Sequence, residues 1–352
     1  MMRLSTLWAV HGTRSAADEP GPLAQQIAER WEHDRDSLRF VRSSANSVYR
    51  FDAAGTRRFL RFASGAERTQ ELIEAEVELL EWLVGRGAAV ARPAPSKAGR
   101  LVETVTADVG VYYAVAFDRL EGEQLEIGHL DRHRFERWGA ALGRLHATVD
   151  DYGGSALESR PSWREQLHGA RASIPEQESV VRRELDAITA ALEALPADRG
   201  RCGLIHGDFM LDNLRWTDDG DGAGATAGTV GMLDFDDCAR HWYAADIAFV
   251  LRDRFDAGAG LGDEWVDTFL RGYQTHRPLH AEPLAALPLF SRLSRLLSYT
   301  TNVRTLDLPD SADHPEWLRG LRRKFEARTA AYATSVQRDV GAEIRPEGVE
   351  SR

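Results

Sequence analysis

Residues 204–213 read Leu204-Ile205-His206-Gly207-Asp208-Phe209-Met210-Leu211-Asp212-Asn213, and residues 231–237 read Gly231-Met232-Leu233-Asp234-Phe235-Asp236-Asp237. In each segment a short apolar run delivers polar residues to its end, the pattern of a buried strand running into a loop. Asp208 and Asn213 share the first loop, and Asp234 ends the second strand. Phosphoryl transfer asks little covalent help from a protein. It needs a carboxylate near the attacking hydroxyl, oxygen ligands for magnesium and a cradle for the triphosphate. Asp208 can accept the hydroxyl proton. Asn213 and Asp234 offer magnesium a carboxamide and a carboxylate oxygen, the rest of its shell coming from phosphates and water. Read for structure alone, Asp208 and Asn213 would be turn formers and His206 a satisfied polar residue.

Outward from these loops, the chain changes character once. Strand-like runs fall at 38–42, 47–51, 57–62, 101–105 and 111–117, separated by turn sequences such as Asp52-Ala53-Ala54-Gly55. A helix is predicted over 67–84, with Leu72, Val77, Leu80 and Leu83 on its apolar side and glycine at its end. Another, over 22–36, is predicted from the four-residue spacing of Leu23, Ile27 and Trp31. After residue 120 the periodicity is helical: 135–149, 176–195, 246–254, 265–276, 284–299 and 317–332. Between these helices lie two short strands, 203–206 and 230–235, joined by a Gly/Ala/Asp-rich stretch, 218–228, that reads as a flexible hairpin loop. The organisation is an α+β chain of two lobes: an N-terminal extension with a helix (1–37), a β-rich N-lobe (38–118), a helical C-lobe (119–338) and a flexible tail (339–352).

His206-x-Asp208-x-x-x-x-Asn213, with Asp234 on the following strand, resembles the paired catalytic and metal loops of the aminoglycoside phosphotransferase and choline kinase superfamily, which has a protein-kinase-like fold. Gly207 stands where protein kinases have Arg, and Phe235-Asp236 replaces their Phe-Gly. The resemblance implies Asp208 as catalytic base, His206 as the residue that orients the loop, and Asn213 and Asp234 as metal ligands. Asp246, in Ala244-Ala245-Asp246-Ile247-Ala248, matches an aspartate that braces the catalytic loop. In the N-lobe, the resemblance places Arg61 where kinases carry lysine on the third strand, with Glu76 of the next helix offered as its partner and Glu71, Glu74 and Glu78 competing for that role. Arg is forked and always charged, a different phosphate partner from Lys. The tip Ser43-Ser44-Ala45-Asn46-Ser47 would be the phosphate loop, Ser44 and Asn46 contacting the nucleotide without a glycine. The base would meet the connector at Phe117 and Arg119. The cofactors implied are ATP or GTP and Mg2+.

The whole sequence bounds the function further. Its 352 residues suffice for two cores, and 43% hydrophobic with 28% charged residues is ordinary for a globular chain. A net charge of −11 argues against a nucleic-acid partner. No apolar run approaches the roughly 20 residues that span a bilayer. The opening decapeptide lacks a cleavage pattern, and the chain reads as cytoplasmic. Cys202 and Cys238 lack zinc-ligand spacing and read as structural thiols. The phosphate acceptor is expected to be a hydroxyl of a small molecule, an aminoglycoside or amino alcohol being the leading class. An ammonium group would be met by Asp212, Asp236, Asp237 or Asp253, and by the faces of Trp242, Tyr243, Trp265 or Tyr299. Three alternatives stand beside it: a bacterial stress-response-type Ser/Thr protein kinase, a homoserine kinase, and a non-catalytic nucleotide-binding module.

Overall fold

The computed structural model describes residues 1–12, 19–218 and 228–343. Two short helices, α1 (Leu4–His11) and α2 (Pro22–Ala28), precede an antiparallel sheet. Its meander is β1 (Arg39–Ser43), β2 (Ser47–Ala53) and β3 (Thr56–Ser64). Helix α3 (Gln70–Gly85) follows, then β4 (Pro93–Ala94) and β5 (Glu103–Ala107), both paired with β6 (Gly110–Asp118), which lies beside β3. Side chains alternate across these strands, and the register assigns the two faces. Tyr49, Phe51, Leu60, Phe62 and Ala116 bury against α2 and Trp31. Arg61, opposite Val48 and Val115, therefore points to the other face, toward α3 and the C-lobe. Helix α3 is capped by Thr69, whose hydroxyl accepts from the Leu72 amide, and it buries Ile73, Glu76, Val77, Leu80 and Leu83 at three- and four-residue spacing.

The C-lobe begins with α4 (Arg132–Val149), α5 (Ala156–Ser159), α6 (Trp163–Ser173) and α7 (Ser179–Glu193). Four short strands follow, β7 (Cys202–Ile205), β8 (Leu214–Trp216), β9 (Val230–Met232) and β10 (Ala239–Trp242); β7 pairs antiparallel with β10, and β8 with β9. The lobe is completed by α8 (Tyr243–Val250), α9 (Arg252–Asp256), α10 (Glu264–Gln274), α11 (Ala281–Ala285), α12 (Leu287–Thr305) and α13 (Glu316–Glu343). The strand pairs project the two loops quoted above toward the N-lobe. The connector reaches them through Gly122, whose φ of +112° and contact with the Trp216 backbone leave no room for a side chain.

Several boundaries moved. The helix expected over 22–36 ends at Ala28, and Trp31 is buried instead by donating its indole N–H to the Ala94 carbonyl at 3.0 Å. Helix α13 runs past residue 338 to Glu343, so the tail expected from 339 is helical at its start, while 344–352 lie outside the described residues. Residues 219–227 of the expected hairpin loop also lie outside them; the two strands it was expected to join do not pair with each other, β9 pairing with β8, Trp216 opposite Val230, and β7 with β10. Helices α1, α5 and α6 and strands β4, β8 and β10 had no counterpart in the sequence reading.

Helix α1 touches both lobes. On the N-lobe side the Met2 amide donates to the Ser44 carbonyl (2.7 Å), and the Arg3 amide and Thr6 hydroxyl both donate to Glu67 (2.9 Å each). On the C-lobe side the Ser5 amide donates to Asp307 at 3.1 Å, Arg304 donates to the Met1 carbonyl at 2.9 Å, and Met2, Leu4 and Leu7 pack on Leu318 and Phe325 of α13. Among the described residues no helix is long and apolar enough to cross a membrane. Both cysteines are free, and burial pushes each thiol up to about 12, which makes them inert.

Candidate active site

Asp246, completely buried on α8, organises the catalytic loop. One carboxylate oxygen accepts from the His206 amide (2.8 Å) and from His146 Nε2 (3.0 Å), and the other from the Gly207 amide (3.0 Å). Burial works against its charge, but the hydrogen bond from His146 and its neighbours hold the carboxyl below the usual range. Gly207 takes a φ of +81°, and a Cβ there would lie 2.3 Å from the Asp237 carbonyl oxygen. Glycine is what lets the catalytic and metal loops approach so closely. His206 is itself fully buried. Its Nε2 donates to the Leu233 carbonyl at 3.0 Å, and its Nδ1 accepts from the Asp208 amide at 3.3 Å. Burial lowers its proton affinity, so it is a neutral strut between the loops and reaches neither cavity of the cleft.

Asp208 emerges from this scaffold with a third of its side chain exposed. Its Oδ2 accepts from Asn213 Nδ2 at 3.0 Å, and the same amide also donates to the Asp208 carbonyl. Burial, with Asp237 adding to it and Arg252 opposing it, pushes the carboxyl up to about 7, where a general base is effective. With both amide hydrogens of Asn213 directed at Asp208, its Oδ1 is left buried without a hydrogen-bond partner among the described residues. Such an orphaned acceptor asks for a cation or donor.

Asp234 supplies the complementary oxygen. It sits at φ 63°, ψ 65°, a left-handed conformation that aspartate tolerates better than most residues, and this turns its carboxylate back into the cleft. Burial raises its pKa to about 6, against the pull of Arg61 and Arg42. Arg61 Nη1 meets Oδ1 at 3.1 Å and Arg42 Nη2 meets Oδ2 at 3.0 Å. Among the described residues there is no cluster of three or more Asp, Glu, His or Cys that could hold a metal. One carboxamide oxygen and one carboxylate are nevertheless the donor set of a hard divalent cation that completes its shell with phosphates and water.

The N-lobe residues divide. Arg61 and Glu76 make a forked pair, 2.8 and 2.5 Å, buried at 8% and 1% exposure. Arg61, Glu76, Phe117 and Arg119 all line a cavity of about 420 Å³ that also takes in Arg42, Asp212 and Asp234. Ser44 and Asn46 do not line it. The glycine-free tip is tied down: Asn46 is buried and donates to Asp236 at 3.2 Å, and Ser44 is held by Met2 and by the Asn46 carbonyl. Arg42, which the sequence reading passed over, reaches the phosphate side instead.

Asp208, Asp236 and Asp237 line a second cavity of about 590 Å³, walled by α6, α12 and α13. The residues expected to meet an ammonium group are mostly elsewhere. Trp242 and Tyr243 are core, their polar atoms donating to Pro196 O and Asp150, and Tyr299 is buried against Tyr332. Trp265 packs edge-on against Phe135. Asp236 is buried and bound by Arg68 at 3.0 and 2.7 Å, Asp212 lies on the nucleotide side, and Asp253 lines neither cavity. Sequence could not distinguish these aromatics from core, because aromatic side chains dominate cores.

Two lobes with a carboxylate poised between two cavities are the architecture of a phosphotransferase. The chain belongs to the phosphotransferase enzyme family (APH), whose model matches residues 37–286. It is 26% identical over 316 residues to amicoumacin kinase of Bacillus subtilis (strain 168), covering 86% of this chain and 91% of that one. It is 32% identical over 216 residues to homoserine kinase of Chelativorans sp. (strain BNC1), covering 55% and 60%. Among solved structures, amicoumacin kinase hAmiN in complex with AMP-PNP, Ca2+ and Ami superposes with a TM-score of 0.70 at 25% identity, covering 87% of this chain and 93% of that one. The protein is a phosphotransferase of the small-molecule kinase type.

Proposed function

We propose that the chain transfers the γ-phosphoryl group of ATP or GTP to a hydroxyl of a small molecule. The observation that carries this reading is the position of Asp208: it opens on the larger cavity, Asp234 borders the smaller one, and Asn213 is hydrogen-bonded to Asp208 Oδ2 at 3.0 Å. The nucleotide occupies the smaller cavity, its base against Phe117 and the connector backbone, its phosphates toward Arg61 and Arg42. The acceptor enters the larger one. Its hydroxyl gives its proton to Asp208 Oδ as the oxygen attacks the γ-phosphorus. The bond to the β,γ-bridging oxygen breaks, and the nucleoside diphosphate leaves. Magnesium, held by Asn213 and Asp234, would shield the phosphate charges and keep the transferring group in line. The AMP-PNP and Ca2+ of the amicoumacin kinase structure support a nucleotide and a divalent ion.

The test is nucleotide consumption against a panel of small alcohols, a stimulating compound identifying the acceptor class and a stimulating Ser/Thr peptide redirecting the reading to a protein kinase. Two variants bear on the nucleotide side. Asp234→Ala is expected to weaken magnesium-dependent nucleotide binding by about tenfold or more, the loss of a charge-assisted ligand; titration at several magnesium concentrations reads it, and an unchanged dependence removes Asp234 from the metal site. Arg61→Lys keeps the charge but loses the fork on Glu76, and nucleotide affinity is expected to fall several-fold. Equal affinity by calorimetry would mean that Arg61 serves the pair with Glu76 and not the phosphates.

A further inference from the structure

The acceptor cavity is charged in a way that phosphoryl transfer alone does not require. Arg68, Arg160, Arg252, Arg304 and Arg328 line it, against the carboxylates of Asp208, Asp236 and Asp237. Two of these arginines are fully engaged: Arg68 binds Asp236 in a fork, and Arg304 lies 3.4 Å from buried Glu67 while donating to the Met1 carbonyl. The other three have donors to spare. Arg160, only 2% exposed, donates Nη1 to the Asp236 carbonyl at 2.9 Å and pairs Nη2 with buried Glu76 at 3.5 Å, leaving its Nε without a hydrogen bond among the described residues. Arg252 approaches Asp208 Oδ1 at 3.9 Å and Asp253 Oδ1 at 4.0 Å, beyond hydrogen-bond distance from either. Arg328, exposed on α13, makes no hydrogen bond or ion pair among the described residues.

The carboxylates offer a smaller surplus, confined to the exposed Asp237. Asp236 is saturated by Arg68 and Asn46, Asp208 is needed for the hydroxyl proton, and Asp237 shares Arg68 at 3.3 Å. A buried guanidinium N–H without an acceptor, as at Arg160 Nε, costs free energy that an anionic ligand returns, and the partly exposed Arg252 and exposed Arg328 keep donors for the same ligand. We propose that the acceptor alcohol carries an anionic group, a carboxylate or a phosphate monoester, which binds Arg252 and Arg328 with Arg160 behind them. This rests on the kinase reading above and refines its substrate from a cationic alcohol to an anionic one. A group bound to Arg252 is held beside Asp208, so recognition of the anion and delivery of the hydroxyl to the base are one event. The buried, unpartnered Oε1 of Gln166 in the same cavity offers an acceptor for a second donor group of the ligand.

The experiment uses matched pairs: homoserine against its amide, gluconate against sorbitol, and glucose 6-phosphate against glucose, with a simple amino alcohol beside them. Turnover is measured, and binding is measured in parallel on the full chain loaded with a non-hydrolysable nucleotide. The anionic member of a pair is expected to be favoured by about 10- to 100-fold in kcat/KM or affinity, and the pair that responds distinguishes carboxylate from phosphate. Arg252→Gln should raise KM for that compound by about tenfold, more than it lowers kcat, with Arg252→Lys recovering part of the loss; Arg328→Gln should act on KM alone. Preference for the neutral members or the amino alcohol overturns the inference, as does selectivity unchanged in the Arg252→Gln/Arg328→Gln double variant. In both cases the kinase reading stands. Failure of every anionic member to bind at millimolar concentration also overturns it, and nucleotide affinity, titrated separately, then says whether the kinase reading falls with it.

Discussion

Asp208→Asn is expected to bind nucleotide as the native chain does and to turn it over on the order of 10²–10⁴ times more slowly. The substitution keeps shape and one carbonyl oxygen, so Asn213 retains an acceptor for the bond now made at 3.0 Å. What disappears is the ability to take a proton from the acceptor hydroxyl. Arg61, Phe117 and Asp234, which line the smaller cavity, are untouched. Acceptor-stimulated release of nucleoside diphosphate, measured beside equilibrium nucleotide binding, separates the two effects. Near-native turnover would mean that the proton leaves by another route and that Asp208 only positions the alcohol.

Asp246→Ala should be the most destabilising single substitution at the site, by about 3–5 kcal/mol. The side chain touches no cavity and takes no part in the chemistry. Its removal strands the His206 and Gly207 amides and His146 Nε2, three buried donors whose only acceptor among the described residues is this carboxylate. Chemical denaturation reads the loss directly. Asp246→Asn should fall between, since one oxygen can still serve one amide while the new NH₂ faces donors. A variant as stable as the native chain would show that the loop is held by its strands, β7 and β10, and that the aspartate is dispensable.

The candidate loops were legible because they are local. Within residues 204–237 the strand, loop and strand order places Asp208, Asn213 and Asp234 before any tertiary contact is known. The Arg61–Glu76 pair was half legible: the resemblance pointed to Arg61, but Glu71, Glu74 and Glu78 competed with Glu76 until the packing of α3 on the sheet singled it out. Asn46 was misplaced because a polar tip looks the same whether it faces phosphate or is tethered by a neighbouring segment, here Met2 and Asp236. The acceptor cavity was hidden because its walls come from α6, α12 and α13, whose mutual arrangement no periodicity encodes. Its arginines read in sequence as ordinary surface charge. Asp236, expected at the substrate, is the partner Arg68 needs across the lobes.

The first helix changes the mechanics of the molecule. Lobes joined by one connector behave as a clam, free to gape at the far edge. Here α1 ties Ser44 and Glu67 to Asp307, Arg304 and the flank of α13, so the lobes are linked on a second side. A body fastened at two edges is a ring, and a ring admits its cargo by twisting. The motion that keeps both fastenings intact is shear of one lobe across the other, in which the guanidiniums of Arg42 and Arg61 would slide over Asp234 without a wide opening. Exchange of spent nucleotide for fresh then depends on how far that torsion can run before the strap yields.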